Sequence, residues 1–559
     1  MRLCVLEISR FRGIEELRWV VQRPYACLVG PGDSCKSTVL DAIELVLSPR
    51  YSVSFDDADF FNLDVSQPLE ITASITDPPE ELLSDAKFGL QIRGWNETTG
   101  LVDEPGESDR KVLSIRLRVD RSLEPAWVVI NDRNGEGTPI SAFDREKFGA
   151  ARLGTYVERQ LRWGRGSVLT KFGTASGDLL SALAEASRAA RDSVTPDQLS
   201  GLKEACRRVQ EVAKGFGIAP KSGMGFRPGL DVDASLSASG SLALCDGEVP
   251  VRRAGLGTKN LIALALQREV CKQGGITLVD EVESGLEPHR IGRLLRALRS
   301  AAINGQVLLT THSSVAVEGL DAEDICVVRN DRGNVTVRQT PAELQDVVRS
   351  CSLALLARNV IVCEGRTEWG FVSALDEHLA SRNQESFSYY SVEAVDGSGE
   401  NAVRRAASLA ALGYHVALLV DSDKQITPSV EDLQKCGVMV FQWADKLSIE
   451  ERVFMDLPWT AVRAVLSYAS ELRGPQSIRD TIASRLGRGS AVPDEDLAHW
   501  VESLELRRAA GLAAKSGKWF KTWDTGQELG KVVCRCLSEI QDTDLAVKTQ
   551  ELMSWVRTE

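Results

Sequence analysis

Gly30-Pro31-Gly32-Asp33-Ser34-Cys35-Lys36-Ser37-Thr38 follows an apolar run, Tyr25-Ala26-Cys27-Leu28-Val29, and opens a stretch of helical spacing that continues to Leu47. A glycine-rich turn between strand and helix aims several backbone N–H groups at one point, and the helix adds its positive end. That is phosphate-binding chemistry. Gly30, Gly32, Asp33, Ser34 and Cys35 would form the cradle. Lys36 would reach the β- and γ-phosphates of a bound ATP, and Ser37, with Thr38 beside it, would hold Mg²⁺. Cys35 stands where the usual pattern has a second glycine, which a helical backbone at that position would tolerate. Further on, Ile276-Thr277-Leu278-Val279 reads as a buried strand ending in Asp280-Glu281. Asp280 can serve the Mg²⁺ shell while Glu281 orients an attacking water. Val307-Leu308-Leu309-Thr310-Thr311 is another strand signal, and it delivers His312 to the same edge as a γ-phosphate sensor.

A second set of residues is acidic. Asn359-Val360-Ile361-Val362-Cys363 reads as a strand that ends in Glu364-Gly365 and leads into a helix carrying Glu368. Val416-Ala417-Leu418-Leu419-Val420 ends in Asp421-Ser422-Asp423. Residues two apart on an extended chain point to one side, so Asp421 and Asp423 can share a metal with Glu364. Parallel sheets place ligands at the carboxyl ends of their strands, where these acids fall. Hard oxygen donors suit Mg²⁺ or Mn²⁺, and two such ions can stabilise both oxygens of a phosphodiester displacement. Glu368, on the helix that follows, is a further candidate metal ligand; the plainer alternative for Glu368, Glu450 and Glu451 is that they are solvated helix charges.

The elements that must position these groups are those of an α/β multidomain protein. At 559 residues the chain is too long for one core. Residues 1–60 alternate strand and helix signals, and residues 69–135 hold alternating runs that predict antiparallel strands. Residues 142–216 are rich in Ala, Leu, Arg and Glu and predict two or three helices. Alternation of strands and helices resumes from about 228 to 345 and again from Arg358, and the last hundred residues read as mainly helical. The division expected is 1–141, an insertion at 142–216, 217–350, 351–455 and 456–559. A net charge of −13 argues against indiscriminate coating of nucleic acid but leaves room for a local basic groove. Arg159, Arg162 and Arg165 around Trp163, and Arg485, Arg488, Arg507 and Arg508, are the candidates for one. No apolar run is long enough to span a bilayer, so a cytoplasmic protein without a membrane partner is expected. Twelve scattered cysteines form no zinc pattern, and Cys27, Cys271 and Cys363 read as buried thiols.

Gly255-Leu256-Gly257-Thr258-Lys259 opens a further helix and resembles the signature segment of ABC-type ATPases, with Gly255 where transporters usually have Ser. The resemblance implies that Gly257 and Lys259 meet nucleotide bound by a second subunit, hence a homodimer or higher homo-oligomer. Phe11-Arg12-Gly13 resembles the opening of the RecF/SMC-like branch of ABC ATPases. The Glu364, Asp421 and Asp423 pattern resembles the Toprim domain, in which those acids are the functional residues. A RecF/SMC-like ABC ATPase with a helical insertion, followed by a Toprim domain and a helical C-terminal region, is similar to the OLD-family endonucleases, which include the nuclease subunit of the Gabija anti-phage system. That resemblance implies a further metal ligand after the Asp421 strand, Glu450 or alternatively Glu451. It also implies a catalytic lysine in Lys515-Ser516-Gly517-Lys518-Trp519-Phe520-Lys521, with Lys521 preferred over Lys518. Asp396-Gly397-Ser398-Gly399 is a turn that could line the same site.

The expectation is an ATP-regulated, Mg²⁺- or Mn²⁺-dependent DNA endonuclease of anti-phage defence, with a helicase or another defence protein as partner. The alternatives are a RecF-like ATP-dependent DNA clamp with an inactive Toprim site, and a Toprim nuclease directed at RNA.

Overall fold

The structure, a computed structural model, describes residues 1–50, 53–148, 150–153, 200–216, 220, 225–231, 241–270, 275–486 and 499–557. It divides into two compact units, Met1–Ala342 and Glu343–Glu559.

In the first unit one large mixed sheet carries the core. Its parallel part runs, in spatial order, Ala151–Leu153, Ile276–Val279, Gln306–Thr310, Tyr25–Val29 and Ile325–Asp331. Tyr25–Val29 is fully buried, as its unbroken apolar run requires of a central parallel strand. It feeds the Gly30–Cys35 turn and the helix Lys36–Val46. The remainder of the sheet includes the antiparallel strands Ile14–Val20, Arg2–Phe11, Leu69–Thr76 and Arg110–Val119. Alternation in Leu69–Thr76 predicts one wet face, yet Thr72, Ser74 and Thr76 are buried. The Ser74 and Ser114 hydroxyls bond across the strands at 2.7 Å, so that polar face satisfies itself. Within 142–216 the described elements are the helices Ala142–Glu146 and Ser200–Gly215 and the strand Ala151–Leu153, which joins the sheet. Arg159, Arg162, Trp163 and Arg165 lie outside the described residues.

The second unit is built on a four-stranded parallel sheet in the spatial order Val392–Asp396, Asn359–Cys363, His415–Val420, Val438–Gln442. The chain leaves the first strand toward one edge and later returns to its other side. That reversal opens a crevice at the carboxyl ends of Asn359–Cys363 and His415–Val420. Helices Arg366–Ser381, Ile449–Asp456, Leu504–Ser516, Trp523–Cys536 and Asp544–Val556 share one apolar core with the sheet. Two of them meet backbone to backbone. A Cβ at Gly370 would stand 2.1 Å from the Trp523 carbonyl oxygen, and one at Gly526 would stand 2.4 Å from that of Thr367. Only glycine allows this approach.

Among the described residues the cysteines, Cys27 and Cys363 included, are free thiols, and Cys271 lies outside them. No described helix is long and apolar enough to cross a membrane.

Candidate functional site

The turn after Tyr25–Val29 brings the first set of residues together. Lys36 Nζ donates to the carbonyls of Gly30 (3.0 Å) and Pro31 (2.6 Å) and to Ser34 Oγ (3.1 Å). Burial lowers its pKa to about 8, against the opposing pull of Asp280 and Asp33. An ammonium folded onto carbonyls in this way is poised to exchange them for phosphate oxygens. Ser37 Oγ donates to Asp280 Oδ1 at 2.9 Å, and Thr310 Oγ1 donates to the same oxygen at 2.6 Å. The hydroxyl and the carboxylate expected to hold Mg²⁺ are therefore adjacent although 243 residues separate them. Glu281 follows with φ 47°, its N–H donating to Thr310 Oγ1 at 2.8 Å. His312 is partly exposed. Burial and then the Lys36 charge lower its pKa, which favours the neutral imidazole.

Glu283 escaped notice in the sequence. Its carboxylate accepts from Thr311 Oγ1 (2.6 Å) and from the His312 N–H (2.7 Å), and so fixes the strand end that carries the histidine. Gly257 and Lys259 lie in the first turn of the helix Leu256–Val270, whose ties run to the turn after Glu281. A Cβ on Gly257 would fall 2.1 Å from the Gly285 carbonyl oxygen, and Asn260 Nδ2 donates to Ser284 O at 2.9 Å.

Cys35 corrects an expectation. Its backbone is left-handed, φ 69°, ψ 20°, and the helix begins only at Lys36. The side chain is accommodated because Gly13 leaves it space, where a Cβ would stand 2.9 Å from the sulfur, and because Asn330 Nδ2 donates to Sγ at 3.3 Å. A non-glycine residue in this region costs about 1–2 kcal/mol, part of which glycine forfeits as entropy. Cys35→Gly should therefore leave urea stability equal to wild type or up to about 1 kcal/mol higher. Cys35→Val should lose at least that much, since a branched Cβ tolerates this backbone least. Equal midpoints for both variants would refute the strain.

The second set converges on the crevice of the parallel sheet. Glu364 Oε2 accepts from the Asp421 N–H at 2.8 Å, which links the two strand ends. Asp421 Oδ1 accepts from the Ile449 N–H at 2.9 Å, at the start of the helix that carries Glu450 and Glu451. Glu368 Oε2 accepts from the Gly365 N–H at 2.9 Å. Glu368, Glu450 and Glu451 are buried, which goes against the alternative of solvated helix charges. Glu450 is 0% exposed. Lys521 Nζ stands 2.7 Å from its Oε1, off hydrogen-bond geometry, and Oε2 has no hydrogen-bond partner. Burial and then Glu450 raise the pKa of Glu368. Burial and then Glu368, Glu364 and Glu450 raise that of Asp421.

Two lysines close the cluster. Lys521 is brought there by Thr367, whose Oγ1 donates to the Phe520 carbonyl at 2.7 Å. Lys515, which nothing in the sequence preferred, bridges Asp423 (2.9 Å) and Glu451 (2.8 Å). Glu451 also accepts from the Ser448 N–H at 3.0 Å as a helix cap. Lys518 is exposed with φ 52°, and its carbonyl accepts from Arg473. The Asp396–Gly399 turn is tied to the first strand end, with the Gly399 N–H donating to Glu364 O at 2.6 Å. Arg507 is no groove residue. It is buried, caps the Phe454 and Leu457 carbonyls and lies over Trp459. Arg485 and Arg508 are exposed, and Arg488 lies outside the described residues.

Among the described residues no three acidic, His or Cys side chains are already arranged as a metal-ligand set. The donor chemistry nonetheless fits a hard dication. Several carboxylates repel one another out of water, and one keeps an unpartnered buried oxygen.

Comparison with known proteins adds a family to the first site. Residues 234–318, which include Asp280, Glu281 and His312, match the family described as "AAA domain, putative AbiEii toxin, Type IV TA system". This part of the chain is similar to an AAA-type ATPase domain. No curated protein matches. Among solved structures, an SMC head bound to the C-winged helix domain of ScpA is 14% identical, with TM-score 0.37, over 60% of this chain and 97% of that one. A Pyrococcus furiosus SMC head with an extended coiled coil, bound to the C-terminal domain of ScpA, is 15% identical, with TM-score 0.38, over 60% and 95%. The Thermotoga maritima SMC head domain is 14% identical, with TM-score 0.31, over 61% and 100%.

Proposed function

We propose that the chain is an ATP-regulated, divalent-metal-dependent DNA endonuclease of the OLD type, with its nuclease site in the Toprim-like second unit and a role in anti-phage defence. The observation that carries this reading is the convergence of Glu364, Glu368, Asp421 and Glu450 at the crevice, with the Glu450 carboxylate buried and one oxygen unpartnered. Lys521 offsets one of these charges, and the several carboxylates buried together beyond it favour a further cation. Glu364, Asp421 and Glu450, joined by Glu368, Asp423 and Glu451, would hold Mg²⁺ or Mn²⁺. A dication there supplies charge for the phosphate oxygens and a hydroxide-like water.

The chain's own residues do the rest. Glu364, fixed through the Asp421 N–H, is the candidate to accept the proton of the attacking water. Lys521, beside Glu450, is placed to offset charge that grows on the scissile phosphate. In the first unit Lys36, Ser37 and Asp280 bind ATP and Mg²⁺, and Glu281 and His312 serve the γ-phosphate. A homodimer would complete that site through Gly257 and Lys259 of the second copy.

Supercoiled plasmid incubated with Mg²⁺ or Mn²⁺, with and without ATP, tests the reading. Nicking or linearisation that an Asp421→Ala/Asp423→Ala variant loses is the expected result. A second reading, a DNA clamp with an idle acidic site, draws on Lys515, which neutralises Asp423 and Glu451 internally. DNA retention with no cutting under any metal would favour it.

A further inference from the structure

Arg152 belongs to none of the motifs above, yet its guanidinium touches three carboxylates of the nucleotide site. Nη2 lies 2.7 Å from Asp280 Oδ2, and Nη1 pairs with Asp41 and stands 3.3 Å from Glu44 Oε2. Asp41 and Glu44 are on the helix Lys36–Val46 that the Gly-rich turn opens. The backbone of Arg152 sits in the three-residue edge strand Ala151–Leu153, paired in parallel with Ile276–Val279, with Arg152 opposite Leu278. The side chain thus spans from the edge strand to the helix, passing the carboxylate at the end of the neighbouring strand. It is largely buried.

The division of labour on Asp280 gives this contact its meaning. Oδ1 receives the hydroxyls of Ser37 and Thr310, on the side where the cation of a bound nucleotide belongs. Oδ2 receives Arg152. A carboxylate held on both oxygens cannot turn about its χ2. Arg12 shares the arrangement by pairing with Asp41 and Asp59.

We infer that Arg152 is a positioning residue of the nucleotide site, which fixes the Asp280 carboxylate so that Oδ1 faces Ser37 and the Mg²⁺ of Mg·ATP. The planar fork is essential, because one guanidinium reaches Asp280 and the helix carboxylates at once and an ammonium of equal charge does not. This inference rests on the reading of the site as an ATP site.

Arg152→Lys is the informative variant, since it keeps the charge and removes the fork. The full chain is titrated with a fluorescent ATP analogue, first in EDTA and then across Mg²⁺ concentrations. In EDTA the variant should bind within about twofold of wild type, because the phosphates still meet Lys36 and the loop. The Mg²⁺ midpoint for tightening that binding should rise at least about fivefold, a loss of orientation worth about 1 kcal/mol. A role confined to holding the edge strand would lower the melting temperature and leave the midpoint unmoved. Should Arg152→Lys fold poorly, Asp41→Asn/Glu44→Gln unhooks the guanidinium from the helix and should move the midpoint in the same direction. Unchanged midpoints in the folded variants overturn the inference. Absence of analogue binding by the wild type overturns the ATP reading itself.

Discussion

Asp421→Asn is expected to lower metal-dependent DNA cleavage by at least about 100-fold while raising the melting temperature measured in EDTA. The two effects have one cause. Asp421 is buried beside Glu368, Glu364 and Glu450, and its carboxyl pKa is held above the ordinary value by burial first and by those charges next. A carboxyl group whose folded pKa is raised stabilises the fold below its unfolded pKa and gives that stability up as pH rises through the folded value. With its pKa pushed up to about 9, Asp421 is held protonated in the metal-free fold at neutral pH, and that is a cost, because the same carboxyl is ionised in the unfolded chain. Asparagine keeps an oxygen for the Ile449 N–H and takes up no proton. Each kcal/mol recovered is worth about 2–4 °C for a unit of this size. At one hundred times its dissociation constant Mg²⁺ should stabilise wild type by about 2.7 kcal/mol, and it should stabilise the variant by less. A variant that cuts as wild type does would remove Asp421 from the chemistry. One that melts lower in EDTA would contradict the electrostatic account.

Lys36→Ala should weaken ATP binding about 100-fold, the order expected when a charged donor to two phosphates is lost. It should also abolish any difference that ATP makes to cleavage. Without nucleotide the variant should melt within a few degrees of wild type. Three hydrogen bonds are lost, but so is the penalty of burying an ammonium whose pKa has fallen to about 8. Differential scanning fluorimetry with and without Mg·ATP reads both quantities. A Lys36→Ala protein that still shows the wild-type thermal shift with ATP would place the nucleotide elsewhere.

Much of the framework was legible because its signals are local. Ile276–Val279, Gln306–Thr310, Asn359–Cys363 and His415–Val420 are short apolar runs that end in Asp280, Thr311, Glu364 and Asp421. What the sequence concealed are contacts made across long separations. Arg152 meets Asp280 over 128 residues and Lys515 meets Glu451 over 64, and no spacing rule connects such pairs. Lys515 sat in a basic stretch whose three lysines look alike until the helix Leu504–Ser516 turns one toward Asp423. Arg507 and Arg508 are adjacent and chemically identical, and only the rotation of the helix puts the first in the core and the second outside. At Cys35 the helical backbone that would suit a side chain is missed by a single residue of helix boundary, where one position separates a right-handed backbone from a left-handed one.

The close crossing of Arg366–Ser381 with Trp523–Cys536, glycine against backbone, bears on the order in which a ribosome releases this chain. All four strands of the second unit and every acid of its crevice are made before Leu504–Ser516 and Trp523–Cys536, which bring Lys515 and Lys521 and share their core. During that interval the nascent sheet lacks both the apolar cover and the ammonium groups that its mutually repelling carboxylates face in the finished unit. Domains generally fold as units during synthesis. A unit with this chain order is expected to assemble its crevice only after its late helices emerge.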